Sequence, residues 1–321
     1  MTAILGIDVA KNKFDAALLR NGKYKSKSFE NNPSGFESLT AWLKQHDVVV
    51  FHACMEATGS YGDTLARFLF YAGQVVSVVN PARIKAFGES ELQRTKNDKM
   101  DAKLIARFCE KMQPSAWEPD PPEVEQLRML GRRRDALVSM RTQEGNRLGV
   151  ADPTVNASIQ KVISFLDDEI EQISKLIREH INNHPDLRKK RDLLKTIPGV
   201  GAVTIEAILS EINAFEGFDS VEKVVAYMGL SPKEKTSGTS VKGKSSLCKI
   251  GNARLRKILY MPALSAIQCN PLVKALYNRL IAKSKNGMII ACACMKKLVH
   301  IIYGVIKNGK PFDPAYNIKF A

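Results

Sequence analysis

Four prolines fall within nine residues: Pro114, Pro119, Pro121 and Pro122. Proline fixes φ and has no N–H to give a helix interior or a sheet ladder. No single regular element is expected to run through this stretch, so the chain must fold as one body before it and another after it. The two sides also differ in period. Upstream, short apolar runs alternate with turn residues. Downstream, apolar residues recur at spacings of three and four. A length of 321 residues is enough for more than one core.

Upstream, Ala3-Ile4-Leu5-Gly6-Ile7 predicts a short buried strand ending at Asp8. Phe14 to Leu19 is a second apolar segment, and Asn21-Gly22 predicts a hairpin into a strand over Lys23 to Phe29. Asn32-Pro33-Ser34-Gly35 reads as a turn, with Ser34 as the N-cap of a helix through Leu43. Val48 to Met55 is dense in β-branched and apolar residues and ends at Glu56. A helix over Tyr61 to Tyr71, a strand over Gln74 to Val79 closed by Asn80-Pro81, and a helix over Asp98 to Lys111 follow. The order β-β-β-α-β-α-β-α predicts an α/β domain with a mixed sheet, assigned to residues 1–115.

Downstream, Glu123 to Leu148 predicts a long charged helix. Ile159, Ile163, Leu166, Ile170, Ile173 and Ile177 then form a heptad-like seam. A coiled coil, a helical hairpin and an ordinary amphipathic helix all fit this pattern. Residues 116–194 are expected to be a helical, coiled-coil linker and oligomerisation region. Residues 195–321 are expected to form a mainly α, basic C-terminal domain. There, Ile197-Pro198-Gly199-Val200-Gly201 fits either a helix-hairpin-helix turn approaching a phosphate or a plain glycine-capped turn.

Charge points to the partner. From Lys235 to Phe312 there are 78 residues without one Asp or Glu, and fifteen Lys and Arg. The chain holds 48 basic and 33 acidic residues, net +15, so this segment carries the whole excess. Such self-repulsion gives a fold nothing, but it attracts a polyanion by releasing counterions. Lys235, Lys242, Lys244, Lys249, Arg254, Arg256 and Lys257 are the candidate nucleic-acid contacts. The N-terminus lacks a basic stretch followed by an apolar one, and the apolar run Met288 to Met295 is too short to cross a bilayer. A cytoplasmic, nucleoid-associated protein without membrane contact is expected. The six cysteines lie mostly in apolar segments, which predicts reduced, packed thiols.

Four carboxylates stand out by position. Asp8 and Glu56 end buried strands, where ligands gather in open α/β sheets. Asp98 and Asp101 share one face of a helix start. Together they fit a site for Mg²⁺ (or Mn²⁺), since clustered carboxylates repel unless cations bind. Separately they fit strand-end caps and a helix-dipole first turn. The run Thr236-Ser237-Gly238-Thr239-Ser240 opens the acid-free segment. It fits a flexible loop, and it also fits a nucleophile that a metal or an electropositive site would activate.

Gly6-Ile7-Asp8-Val9-Ala10-Lys11, Met55-Glu56-Ala57-Thr58-Gly59, Asn80-Pro81 and Asp98-Lys99-Met100-Asp101-Ala102 resemble the RuvC-like domain of the IS-one-ten insertion-sequence transposases and the related Piv-type DNA invertases. Ile197-Pro198-Gly199-Val200-Gly201, Ser237-Gly238-Thr239-Ser240-Val241-Lys242-Gly243 and Leu259-Tyr260-Met261-Pro262-Ala263 resemble that family's C-terminal domain. The resemblance implies a RuvC/RNase H-like fold with an Asp-Glu-Asp-Asp tetrad at Asp8, Glu56, Asp98 and Asp101. It implies that Ser237 is a nucleophile forming a covalent link to a DNA phosphate. It implies an oligomer, a dimer or tetramer, with metal site and serine from different subunits. It also implies double-stranded donor and target DNA and, for at least some members, a structured guide RNA. Thr239 and Lys242 stand where Ser and Arg are common, and Lys lacks the bidentate fork of Arg. The expected activity is DNA transposition or site-specific recombination. The alternative is a RuvC-like nuclease that hydrolyses DNA junctions with metal-activated water.

Overall fold

The computed structural model describes residues 3–57, 59, 61–91, 98–233, 236–237, 241–242, 246–248 and 250–315, without the side chains of 98, 99, 233, 236, 237, 241, 242 and 246. The chain divides into two units, Met1–Pro119 and Asp120–Ala321. The division falls inside the proline cluster.

In the first unit, β1 (Ala3–Val9), β2 (Lys13–Arg20) and β3 (Lys23–Glu30) form an antiparallel meander. β4 (Phe51–Glu56) pairs parallel with β1, and β5 (Val75–Val79) pairs parallel with β4. The sheet order is β3-β2-β1-β4-β5, a mixed sheet as the sequence predicts. Helices α1 (Pro33–Lys44) and α2 (Asp63–Tyr71) cover one face, where Phe36, Leu39 and Leu65 pack on Leu5, Ile7 and Met55. Helices α3 (Pro81–Ser90) and α4 (Asp98–Met112) supply the core on the other face, where Ile84, Ile105 and Phe108 join Cys54 and Val79. On β3 only Phe29 is buried, and Lys23, Lys25 and Lys27 line this outer strand. Lysines on an edge discourage pairing with another chain.

Two local expectations need correcting. The N-cap of α1 is Asn32, whose Oδ1 accepts from Gly35 N at 2.9 Å. Ser34 lies within the first turn, because Pro33 already occupies the first helical position. Asn80-Pro81 does more than close a strand. Asn80 Oδ1 accepts from Ala82 N at 2.9 Å, and the pair starts α3, an element the sequence reading lacked.

In the second unit, α5 (Pro122–Leu148) and α6 (Pro153–Asn183) form an antiparallel hairpin. Its direction is fixed by Arg141 to Asp167 at 3.0 Å and by His180 Nε2 donating to the Glu123 carbonyl at 2.8 Å. Leu166 and Ile177 of the heptad seam are buried within this unit. Then come α7 (Pro185–Lys195), α8 (Ala202–Glu211) and α9 (Val221–Tyr227). Short strands β6 (Pro232–Lys233) and β9 (Ser246–Leu247) pair with each other, as do β7 (Thr236–Ser237) and β8 (Val241–Lys242). Helices α10 (Ala253–Cys269), α11 (Pro271–Ala282) and α12 (Gly287–Asn308) complete the unit. Leu194, Ile208, Phe215, Val224, Leu259 and Leu298 share one core. Helix α12 is long and apolar enough to cross a membrane by length and composition, but 61% of its apolar window is buried inside the fold.

Candidate active site

Strand parity sets the site. Gly6 pairs with Cys54 across β1 and β4, so Ile4, Gly6 and Asp8 share a face with His52, Cys54 and Glu56. That is the α4 face. A Cβ at Gly6 would lie 2.2 Å from the carbonyl oxygen of Ala102 and 2.3 Å from Ala106 N, so the backbone of α4 rests directly on β1 at this residue. Asp101 precedes Ala102 and is carried to the strand ends. Asp8, Glu56 and Asp101 line one cleft of ≈ 590 Å³, with Pro81, Lys85 and Glu89 of α3 on its wall. Lys85 Nζ lies 3.9 Å from Glu89, and both are well exposed.

The fourth expected carboxylate, Asp98, begins α4, but its side chain lies outside the described residues. Among the described residues, no three His, Cys, Asp or Glu side chains stand close enough to form a metal-holding group. The donor chemistry nevertheless suits a hard cation, because the acids lining the cleft offer only carboxylate oxygens.

One acid near this site was not selected from the sequence. Asp15 is the cross-strand partner of Asp8 and is only 5% exposed. The Ser28 hydroxyl donates to one of its oxygens, and Lys13 Nζ stands 3.3 Å from the other. It hides in a run that reads as apolar. The short turn over 10–12, which sets the register of β2 on β1, was the signal that would have found it.

Further along the same face, Cys54 of β4 and Cys109 of α4 lie in one buried cluster. His52 is beside them and forms a 2.8 Å bond with Ser77 Oγ. Ser77 gives its proton to the main-chain carbonyls of Pro114 and Ser115, so His52 Nε2 donates to it. The Cys54 thiol and then His52 stabilise the Cys109 thiolate against burial, lowering Cys109 to about 6. Cys54 is pushed up, first by its bond to Cys109 and then by burial.

In the second unit, Ser237 lies in β7 opposite Val241, and Lys242 lies in β8 opposite Thr236; the side chains of Ser237 and Lys242 are outside the description. Lys235, Lys244 and Lys249 fall outside the described residues altogether. Two of the expected nucleic-acid contacts, Arg254 and Arg256, are half-buried and also bond within the unit. Arg254 Nε donates to Asp135 at 2.7 Å and its Nη1 to Glu211 at 2.9 Å. Arg256 donates to the Met228 carbonyl at 2.9 Å. Lys257 remains exposed, on a groove formed with α5 and the start of α8. Gly199 at that turn has φ +92, and a Cβ there would meet the Ala266 backbone at 2.8 Å. Close packing on α10 therefore accounts for this glycine without a phosphate. The exposed basic face is on and after α11, with Lys274, Arg279, Lys283 and Lys285. None of the four forms an ion pair among the described residues.

Glu211 is the hub of this unit. It accepts from Arg132 at 3.1 Å, Arg254 at 2.9 Å and Asn252 at 3.2 Å. Burial pushes its carboxyl up, but the two guanidinium groups outweigh burial and hold it below the usual carboxylate range. Nearby Glu206 is raised, because burial outweighs its pairing with Arg134.

A family model described as a transposase of the DEDD IS110 type matches residues 5–151, and one described as Transposase IS116/IS110/IS902 family matches residues 191–278. The pilin gene-inverting protein of Moraxella bovis is 34% identical over 312 residues, spanning 96% of this chain and 97% of that one. The transposase for insertion sequence element IS1328 of Yersinia enterocolitica is 24% identical over 351 residues, spanning 97% and 98%. Among solved structures, T. thermophilus RuvC in complex with a Holliday junction substrate aligns over 36% of this chain and 99% of that one, at 13% identity and a TM-score of 0.28. Two family matches in chain order, and a relative above 30% identity along nearly the whole length, place the chain: it belongs to the IS110 family of transposases and is an enzyme that acts on DNA.

Proposed function

We propose that the chain is a site-specific recombinase of a mobile element, with a metal site at Asp8, Glu56, Asp98 and Asp101 and a nucleophile at Ser237. The observation that carries this reading is the cleft shared by Asp8, Glu56 and Asp101. Oxygen donors of like charge call for a hard divalent cation, Mg²⁺ or Mn²⁺. When bound, such an ion offsets charge on phosphate oxygens. The four carboxylates would hold it, and α4 would orient two of them. In the proposed step the Ser237 hydroxyl gives up its proton as its oxygen bonds to phosphorus, the bond to the 3′ oxygen breaks, and that oxygen leaves as a hydroxyl after taking a proton. The phosphoseryl linkage is itself a phosphodiester of similar energy, so a 3′-hydroxyl of another strand reverses the step without ATP.

The partners of this reading are double-stranded donor and target DNA and a structured guide RNA, and its setting is the nucleoid. Exposed Lys257 and the basic surface of α11 support polyanion binding. Assembly as a dimer or tetramer is supported by exposed Val162, Phe165 and Leu176 on α6.

Labelled DNA, incubated with Mg²⁺ and then denatured, tests the mechanism. Label is expected to stay on the wild-type protein and to be absent with Ser237→Ala, while nucleic-acid binding persists. Label retained by Ser237→Ala removes Ser237 as nucleophile. Cleavage with no label on either protein supports hydrolysis by metal-activated water instead. Purification without nuclease, followed by sequencing of bound RNA, tests the guide: one discrete structured RNA is expected.

A further inference from the structure

We infer that Lys85 of α3 binds a phosphate of the DNA strand that enters the carboxylate cleft. The inference deepens the proposed function and rests on that reading for what enters the cleft. Asp8, Glu56, Glu89 and Asp101 line the cleft, and Lys85 is its only cation among the described residues. A phosphodiester brought there carries negative charge in among carboxylates of like charge. A divalent ion offsets part of that repulsion. A cation fixed in the wall offsets more of it and aims at the phosphate oxygens.

One face of α3 forms that wall. Pro81, Ile84, Lys85, Gly88 and Glu89 recur at helical spacings of three and four, and all of them line the cleft. Ile84 and Gly88 are buried, and Ile84 packs with Cys54 and Val79 of the sheet, so the helix is seated. The side chain of Lys85 is left 79% exposed, free to meet a ligand.

Stability does not account for a cation at this position. Lys85 lies one turn into α3, close to the helix end whose dipole favours anions, and the first turn holds no acid. Arg83, two residues earlier, has a packing role, because its guanidinium lies 5.5 Å from the centre of the Phe108 ring. Lys85 has Glu89 at 3.9 Å, and an ion pair so long and so exposed contributes little. Nor does the backbone of α3 supply the donor. Pro81 has no N–H, Ala82 N donates to Asn80 Oδ1 at 2.9 Å, and Arg83 N donates to the Asn80 carbonyl at 2.9 Å. Lys85 Nζ is therefore the charge-assisted donor of this wall, on a stem flexible enough to follow a phosphate oxygen.

Purified full-length protein in Mn²⁺ is treated with an amine-acetylating reagent, with and without a DNA duplex, and acetylation of each lysine is timed by mass spectrometry. With duplex at ten times its dissociation constant, acetylation of Lys85 is expected to slow about tenfold by mass action. An unchanged rate at Lys85 overturns the contact. Lys85→Gln and Lys85→Arg proteins, each checked for folding by thermal melting, are then titrated with Mn²⁺ alone and with duplex. A cation in the wall repels the metal and attracts the phosphate. Lys85→Gln is therefore expected to bind Mn²⁺ about threefold more tightly. It is expected to bind DNA more weakly, with a salt slope smaller by about 1. Lys85→Arg is expected to keep both wild-type values. Wild-type DNA affinity and slope in Lys85→Gln overturn the proposal. Lys85 shielded by DNA in a protein that neither cleaves nor joins strands contradicts the proposed function and leaves the phosphate contact standing. Strand exchange with Lys85 unshielded does the reverse.

Discussion

Gly6 and Ala102 touch so closely that a methyl group on the first would stand 2.2 Å from the carbonyl oxygen of the second. This contact seats α4 on β1, and α4 carries Asp101 to the cleft. Gly6→Ala has no flexible side chain to push aside, only helix backbone. The expected result is a loss of about 3 kcal/mol of stability in urea denaturation, together with loss of activity. A variant of wild-type stability shows that α4 is free to lift.

Metal binding has its own readout. If Asp8, Glu56, Asp98 and Asp101 hold a divalent ion, saturating Mn²⁺ stabilises the fold. At one hundred times the dissociation constant the gain is about 2.7 kcal/mol. Asp8→Asn is expected to keep its fold and to lose both this gain and strand cleavage. Calorimetric melts with and without Mn²⁺ check it, and an equal gain in the variant excludes Asp8 as a ligand.

The basic surface on and after α11 makes a separate case. Lys274→Ala, Arg279→Ala and Lys283→Ala together remove exposed charge and no ion pair among the described residues. Nucleic-acid affinity is expected to fall. The slope of log affinity against log salt is expected to shrink by about 1 for each phosphate no longer neutralised. Filter binding across a salt series measures both. An unchanged slope places the polyanion elsewhere on the segment.

Glu211 gives the second unit a pH dependence. Its folded carboxyl is held below the ordinary value of 4.5. The stability it contributes is therefore complete above about pH 4.5 and is lost as the pH falls through the lower folded value. Glu206 is raised instead, so its contribution opposes this and favours the acid side. Glu211→Gln is expected to cost about 3 kcal/mol near neutral pH, because Arg132 and Arg254 are left facing a neutral amide. The difference from wild type should narrow in acid. Denaturation at a series of pH values checks it, and a gap that widens in acid contradicts the sign.

How much of this was legible in the sequence depends on the residue. Strand runs and the Asn-Gly turn are local signals, and β1 to β5 follow them within a few residues. Asp8 and Glu56 were legible because they end apolar runs. Helix α3 was missed because Asn80-Pro81 reads as the end of a strand and is also the start of a helix. Asp15 was missed because it sits inside a run that reads as apolar, and only the register of β2 on β1 sets it opposite Asp8. The protein partners of Arg254 and Arg256 were not legible either. An acid-free stretch says nothing about acids that other helices bring to it, and Asp135 and Glu211 come from α5 and α8.

The two-residue period of β1 and β4 also limits how such a site can change. Asp8 lies two positions beyond Gly6, and Glu56 two beyond Cys54, with Gly6 and Cys54 in register. Insertion or deletion of one residue between either pair would turn the carboxylate toward the opposite face, among Leu5, Ile7 and Met55. Substitutions at Ile7 or Met55 alter only packing, whereas a one-codon change in length removes the acid from the cleft. The count of residues along these two strands is therefore inherited intact, or the acids are lost from the cleft.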